Sequence, residues 1–123
     1  AELIHVKRKS RSATLSHLFA QGNISASTLI GDGAFRDTVR LRLGQLAGDD
    51  SARWLDLVPA SDGRPDRARY TVHFAVLTNS KGTGAGWLPF FSKINLMQTA
   101  RQIQSLGPSV VISRVPVESA PTT

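Results

Sequence analysis

The chain is expected to fold as a layered α/β domain, a sheet containing a parallel crossover with several helices packed on it. Tyr70 to Leu77 alternates Tyr70, Val72, Phe74 and Val76 on one side with Thr71, His73, Ala75 and Leu77 on the other, the period of a strand. An amphipathic stretch, Asn95 to Leu106, then leads into a second β-branched run, Val110 to Val117. A strand, a helix and a strand so spaced make a right-handed parallel crossover. The chain also opens on a strand-forming run, Leu3, Ile4 and Val6, followed by several helical segments before Tyr70.

Taken in order, the first strand ends where the cations Lys7, Arg8, Lys9 and Arg11 begin. Ser12 is placed to cap a helix from Ala13 to Gln21, with Leu15, Leu18 and Phe19 as its buried stripe and Gly22 as its stop. A second capped turn begins near Ser25 and carries Leu29 and Ile30. Asp32 caps the next helix, in which Phe35, Val39 and Leu43 recur on one side, Arg36, Arg40 and Arg42 lie on the other, and Gly44 ends the run. Asp49 to Val58 reads as a short helix presenting Trp54, Leu55 and Val58, closed by Pro59. Pro59 to Arg67 has loop composition.

Both faces of Tyr70 to Leu77 are mostly apolar, as in a central strand covered on both sides. The glycine-rich stretch Asn79 to Gly86 follows as a loop. Asn95 caps the last helix and Gly107 stops it, with Leu96, Ala100, Ile103 and Leu106 as its apolar stripe. Residues 1–118 are thus expected to form a single domain and residues 119–123 a disordered tail.

With 123 residues the chain can bury one core without staples, and 41% hydrophobic with 20% charged residues is ordinary for a globular protein. The balance of charge is unusual: 15 Lys and Arg against nine Asp and Glu leave +6. A basic surplus on a small domain favours an anionic partner, DNA or RNA. The sequence has no cysteine, which excludes disulfides and thiolate metal sites and fits a cytoplasmic setting. No apolar run is long enough for a membrane span, and no signal-peptide core opens the chain.

The phosphate contacts are assigned to Lys7, Arg8, Lys9 and Arg11, extended by Arg36 and Arg40 one helical turn apart and by Lys81 in the glycine loop. Ser80-Lys81-Gly82-Thr83-Gly84-Ala85-Gly86 is not a Walker loop, because Lys81 precedes the glycines and Trp87-Leu88-Pro89 intervenes before any helix. His5, His17 and His73 lack metal-ligand spacing. His17 and His73 read as packing residues, and His5, beside the cations, is the best of the three for chemistry. Trp87, Phe90 and Phe91 read first as a hydrophobic plug beside the core and second as a platform for stacking bases. No serine sits in a nucleophile elbow.

Ile4-His5-Val6-Lys7, Leu15-Ser16-His17-Leu18-Phe19-Ala20-Gln21-Gly22 with Ser25-Ala26, and Leu88-Pro89-Phe90-Phe91-Ser92-Lys93-Ile94-Asn95-Leu96 with Ala100 and Arg101 resemble a sporadically distributed family of uncharacterised bacterial and phage proteins. The resemblance implies a longer parent chain with these motifs in its C-terminal part and acidic residues upstream of the His-Val-Lys strand. It implies no settled chemistry.

A Lys on a strand, two residues after a polar position and followed by a helix, is also similar to the half-motif of restriction-endonuclease-like nucleases. That likeness would give Lys7, and His5 with it, a catalytic role beside a divalent metal such as Mg²⁺ held by upstream carboxylates. In this chain His5 stands where such nucleases carry an acid, and strand alternation points Glu2 away from Lys7. The metal ligands stay unknown, and no cofactor is expected in these 123 residues alone. The leading expectation is therefore a nucleic-acid-binding domain. The alternatives are part of a metal-dependent nuclease site, or a module that docks on an N-terminal part of the same protein or on a second copy near Trp87 to Phe91.

Overall fold

The structure, a computed structural model, describes residues 1–8, 12–46, 48–79 and 87–117. Strands β1 (Glu2–Arg8), β2 (Thr71–Leu77) and β3 (Ser109–Val115) form a parallel sheet in the order β1-β2-β3. Helices α1 (Ser12–Gly31), α2 (Gly33–Leu46) and α3 (Ser51–Leu57) lie between β1 and β2, and α4 (Phe90–Leu106) lies between β2 and β3. The register sets Leu3, Val72 and Val110 side by side, then His5, Phe74 and Ile112, then Lys7, Val76 and Arg114. These three rows share one face, because side chains alternate along a strand.

That face is the core face. Both connections step across the sheet in the same direction, and connections of one hand then put their helices on the same side. There α1 and α4 pack together, and Leu15, Leu18, Phe19 and Ala26 of α1 and Ile103 of α4 close over Val72, Phe74 and Val76. The Phe19 ring meets Phe74 edge-on at 5.1 Å. A second cluster of Leu29, Val58 and Tyr70 seats α2 and α3 beyond it, with Leu3 touching both.

The opposite face departs from the expectation that β2 is covered on both sides. Ile4 and Val6 are 58% and 55% exposed there, and Thr71, His73, Ala75 and Leu77 are only half-buried. The β2 pattern is apolar on both sides, but the helices that bury one side cannot reach the other.

Several helix boundaries also differ from the sequence expectation. Gly22 does not stop α1, which runs on through the expected second turn to Gly31. Its missing side chain makes room for Phe74 instead. Gly44 does not end α2, which continues to Leu46. The short helix near Trp54 is a 3₁₀ turn at Gly48–Asp50 followed by α3. Finally, α4 begins at Phe90, well before Asn95. Gly107 does stop α4, with φ of 118°, a conformation that favours glycine.

Candidate nucleic-acid interface

In a parallel sheet all strands end at one edge, and the helices that return the chain begin there. Lys7 and Arg8 close β1 at this carboxyl edge, both exposed, Lys7 on the helix-covered face and Arg8 on the open one. Among the described residues the carboxylates within 4 Å of a basic side chain are Asp56, beside Arg69, and Glu2, beside the His73 ring, so neither Lys7 nor Arg8 faces a carboxylate there. Exposed Arg114 stands in register with Lys7 across Val76. It lies far along the chain, and only β3 pairing reveals its place. Asn79 ties this end together, donating to Val117 O at 3.0 Å and accepting from Val117 N at 2.9 Å. Lys9, Arg11 and Lys81 lie outside the described residues.

Beneath Lys7, α1 forms one wall of a pocket of about 260 Å³ lined by Lys7, Thr14, His17, Leu18 and Gln21. Positions 14, 17, 18 and 21 are one helical face, so the spacing that buries Leu18 also aims three polar side chains at the end of β1. The sequence signal for Thr14, His17 and Gln21 was present in this spacing, but which face looks toward Lys7 depends on how α1 sits on the sheet.

The aromatic group separates in two. Trp87 and Leu88 are buried core residues, whereas Phe90 and Phe91 are 67% and 73% exposed on the first turn of α4. The plug expectation holds for Trp87 and fails for the two phenylalanines, whose rings meet edge-on at 5.5 Å. Asn23 of α1 donates to Gln102 of α4 at 3.0 Å, which fixes how these side-by-side helices align. Counting back equally from that bond brings the start of α1 level with Phe91. The cations and the exposed rings therefore occupy the same edge of the sheet.

The other expected residues are placed differently. Arg36, expected on the solvent side of α2, is 4% exposed. Its guanidinium donates to Leu29 O and Ile30 O at the end of α1, and to Pro59 O and Gly63 O in the following loop. Arg40 donates to Leu55 O and Val58 O at the end of α3. Both arginines satisfy helix-end carbonyls, where a cation also complements the helix dipole. They join helices, and their guanidinium donors are taken up by main-chain carbonyls.

His5 lies between Leu3 and Lys7 on the helix-covered face, 5.9 Å from the Phe74 ring, and burial lowers its pKa. Glu2 lies on the open face, opposite Lys7, with its carboxylate 3.5 Å from His73 Nδ1. Among the described residues no three His, Cys, Asp or Glu side chains come together as a metal site. Nor is any described helix long and apolar enough to cross a membrane.

No curated protein and no solved structure matches this chain. Residues 1–116, a span that contains the His-Val-Lys, Leu-Ser-His-Leu-Phe and Pro-Phe-Phe-Ser-Lys stretches of this chain, match a family of unknown function, DUF6119. With nearly its whole length matched, the chain belongs to the uncharacterised DUF6119 family.

Proposed function

We propose that the carboxyl edge of the sheet binds nucleic acid, with Lys7 and Arg8 contacting phosphates and Phe90 and Phe91 offering stacking surfaces for bases. The observation that carries this reading is the meeting of exposed cations and exposed aromatic rings at one edge, in a chain of net charge +6. Bases stack on aromatic faces while the backbone tracks positive charge, the combination used for single strands. Lys9 and Arg11 follow closely in the sequence and add their charge to the same basic run.

Binding measured by fluorescence anisotropy should weaken steeply with salt. About four phosphate contacts give a slope of log K against log salt of roughly −3 for a single strand. Replacing Lys7, Arg8, Lys9 and Arg11 by Ala should flatten that slope, and Phe90→Ala with Phe91→Ala should weaken single-strand binding at every salt concentration. Affinity that ignores both salt and the four-fold substitution would remove the reading.

Hydrolysis has less support. A metal-dependent nuclease needs carboxylates beside Lys7, and Glu2, the acid on the same strand, faces the other way and contacts His73. That reading rests on acidic residues supplied from elsewhere, with Mg²⁺ as the expected metal.

A further inference from the structure

We propose that the pocket under Lys7 receives a phosphate monoester, namely the terminal phosphate of a nucleic-acid strand. The inference rests on the nucleic-acid reading of the carboxyl edge and adds to it a defined subsite and a preference for strand ends.

Among the described residues, the pocket's lining supplies donors and no carboxylate. Lys7 contributes an ammonium, Thr14 a hydroxyl, His17 an imidazole and Gln21 an amide, around a floor of buried Leu18. A set of donors with one fixed positive charge recognises an anion with several free oxygens. A terminal phosphate presents three such oxygens and close to two negative charges, whereas an internal phosphodiester presents two oxygens and one charge. The volume of about 260 Å³ exceeds what a phosphate alone fills and admits the sugar that carries it.

Phe90 and Phe91 lie at the same edge, outside the pocket's lining, where they can meet bases of the strand leading away. The cations provide general affinity, and the pocket discriminates the end. Neither Thr14 nor Gln21 is needed for the general electrostatic attraction, so substitutions there separate the two contributions.

The test uses the 123-residue chain with one single-stranded oligonucleotide prepared in three forms, bearing a 5′-phosphate, a 3′-phosphate or hydroxyls at both ends. One of the phosphorylated forms should bind on the order of tenfold more tightly than the hydroxyl form, as expected for one charge-assisted set of hydrogen bonds. Thr14→Val and Gln21→Leu should abolish that preference and leave hydroxyl-end binding unchanged, with thermal melts confirming that both variants fold.

Adenosine monophosphate and inorganic phosphate serve as competitors. Poor competition by both assigns the site to strand ends. Competition by the mononucleotide as strong as that of the strand keeps the monoester chemistry but overturns the strand-end assignment. Equal binding of all three oligonucleotides, unchanged by the two substitutions, overturns the pocket inference while the edge reading stands. If no oligonucleotide binds, the edge reading itself fails.

Discussion

Gly22, in the middle of α1, lies directly against the ring of Phe74 on β2: a Cβ built at Gly22 would come within 2.4 Å of Phe74 Cε1 and Cζ. Alanine is the better helix former by about 1 kcal/mol, so propensity alone predicts that Gly22→Ala stabilises. Contact decides the other way. Phe74 is fully buried and held by Phe19, and Val72 Cγ1 stands 3.2 Å from the same Cβ position, so the ring has little room to yield. Overpacking of this kind costs about 1 to 3 kcal/mol. Denaturant unfolding should show Gly22→Ala to be less stable than the parent, and adding Phe74→Leu should recover part of the loss in a double-mutant cycle.

Arg36 makes four hydrogen bonds to main-chain carbonyls from a buried position. Arg36→Met removes the donors and leaves the carbonyls of Leu29 and Ile30 without them. The expected loss is about 3 kcal/mol, read from the midpoint of chemical unfolding. Arg36→Lys should recover only part of it, because a single ammonium cannot reproduce the guanidinium fork. The salt slope of oligonucleotide binding should stay the same in any Arg36 variant that remains folded. A flattened slope would place Arg36 among the phosphate contacts of the proposed interface.

Neighbouring residues on α4 should respond very differently. Ile103 is fully buried in the core that α1 and α4 share, while Gln102 is exposed and accepts from Asn23. Ile103→Ala should cost roughly 2 to 5 kcal/mol, and Gln102→Ala less than about 1 kcal/mol. Small and equal shifts in melting temperature would show that the core face of α4 is wrongly assigned.

His5 makes stability depend on pH in a defined direction. Burial lowers its folded pKa below the ordinary value of 6.5, so the folded state holds the neutral ring while the unfolded state takes up a proton first. Between the folded and unfolded values the unfolded state binds more protons, and stability falls as pH drops below about 6.5. Above that range His5 contributes no pH dependence. His5→Phe, which keeps a ring beside Phe74, should give a shallower decline of melting temperature between neutral and mildly acidic pH. An identical decline in both proteins would assign the dependence to other groups.

The candidate site was partly legible. Lys7 and Arg8 end an apolar run, and a strand that stops in cations is visible without coordinates. Arg36 and Arg40 read just as convincingly as surface cations, because helical spacing shows that two residues share a face but not what that face meets. The face meets the ends of α1 and α3, whose carbonyls need donors. In the sequence, Phe90 and Phe91 group with Trp87, as a hydrophobic plug first and a stacking platform second. Backbone direction divides them, sending Trp87 inward and placing the two phenylalanines on the solvent side of the first turn of α4.

By itself the sequence determined the α/β class, the strands around Val6, Phe74 and Ile112, the cap at Asp32 and the stop at Gly107. Each of these follows from local alternation, or from a single residue's hydrogen-bonding or φ preference. Asp32 Oδ1 does accept from Phe35 N, at 3.1 Å. Only the tertiary structure decided that Gly22 is a notch for Phe74, that one sheet face stays open, that Arg114 joins Lys7 at the carboxyl edge, and that Thr14, His17 and Gln21 enclose a pocket with it. Those outcomes depend on strand order and on how two helices settle side by side. Both are set by the summed packing of residues distant in sequence, which no local pattern records.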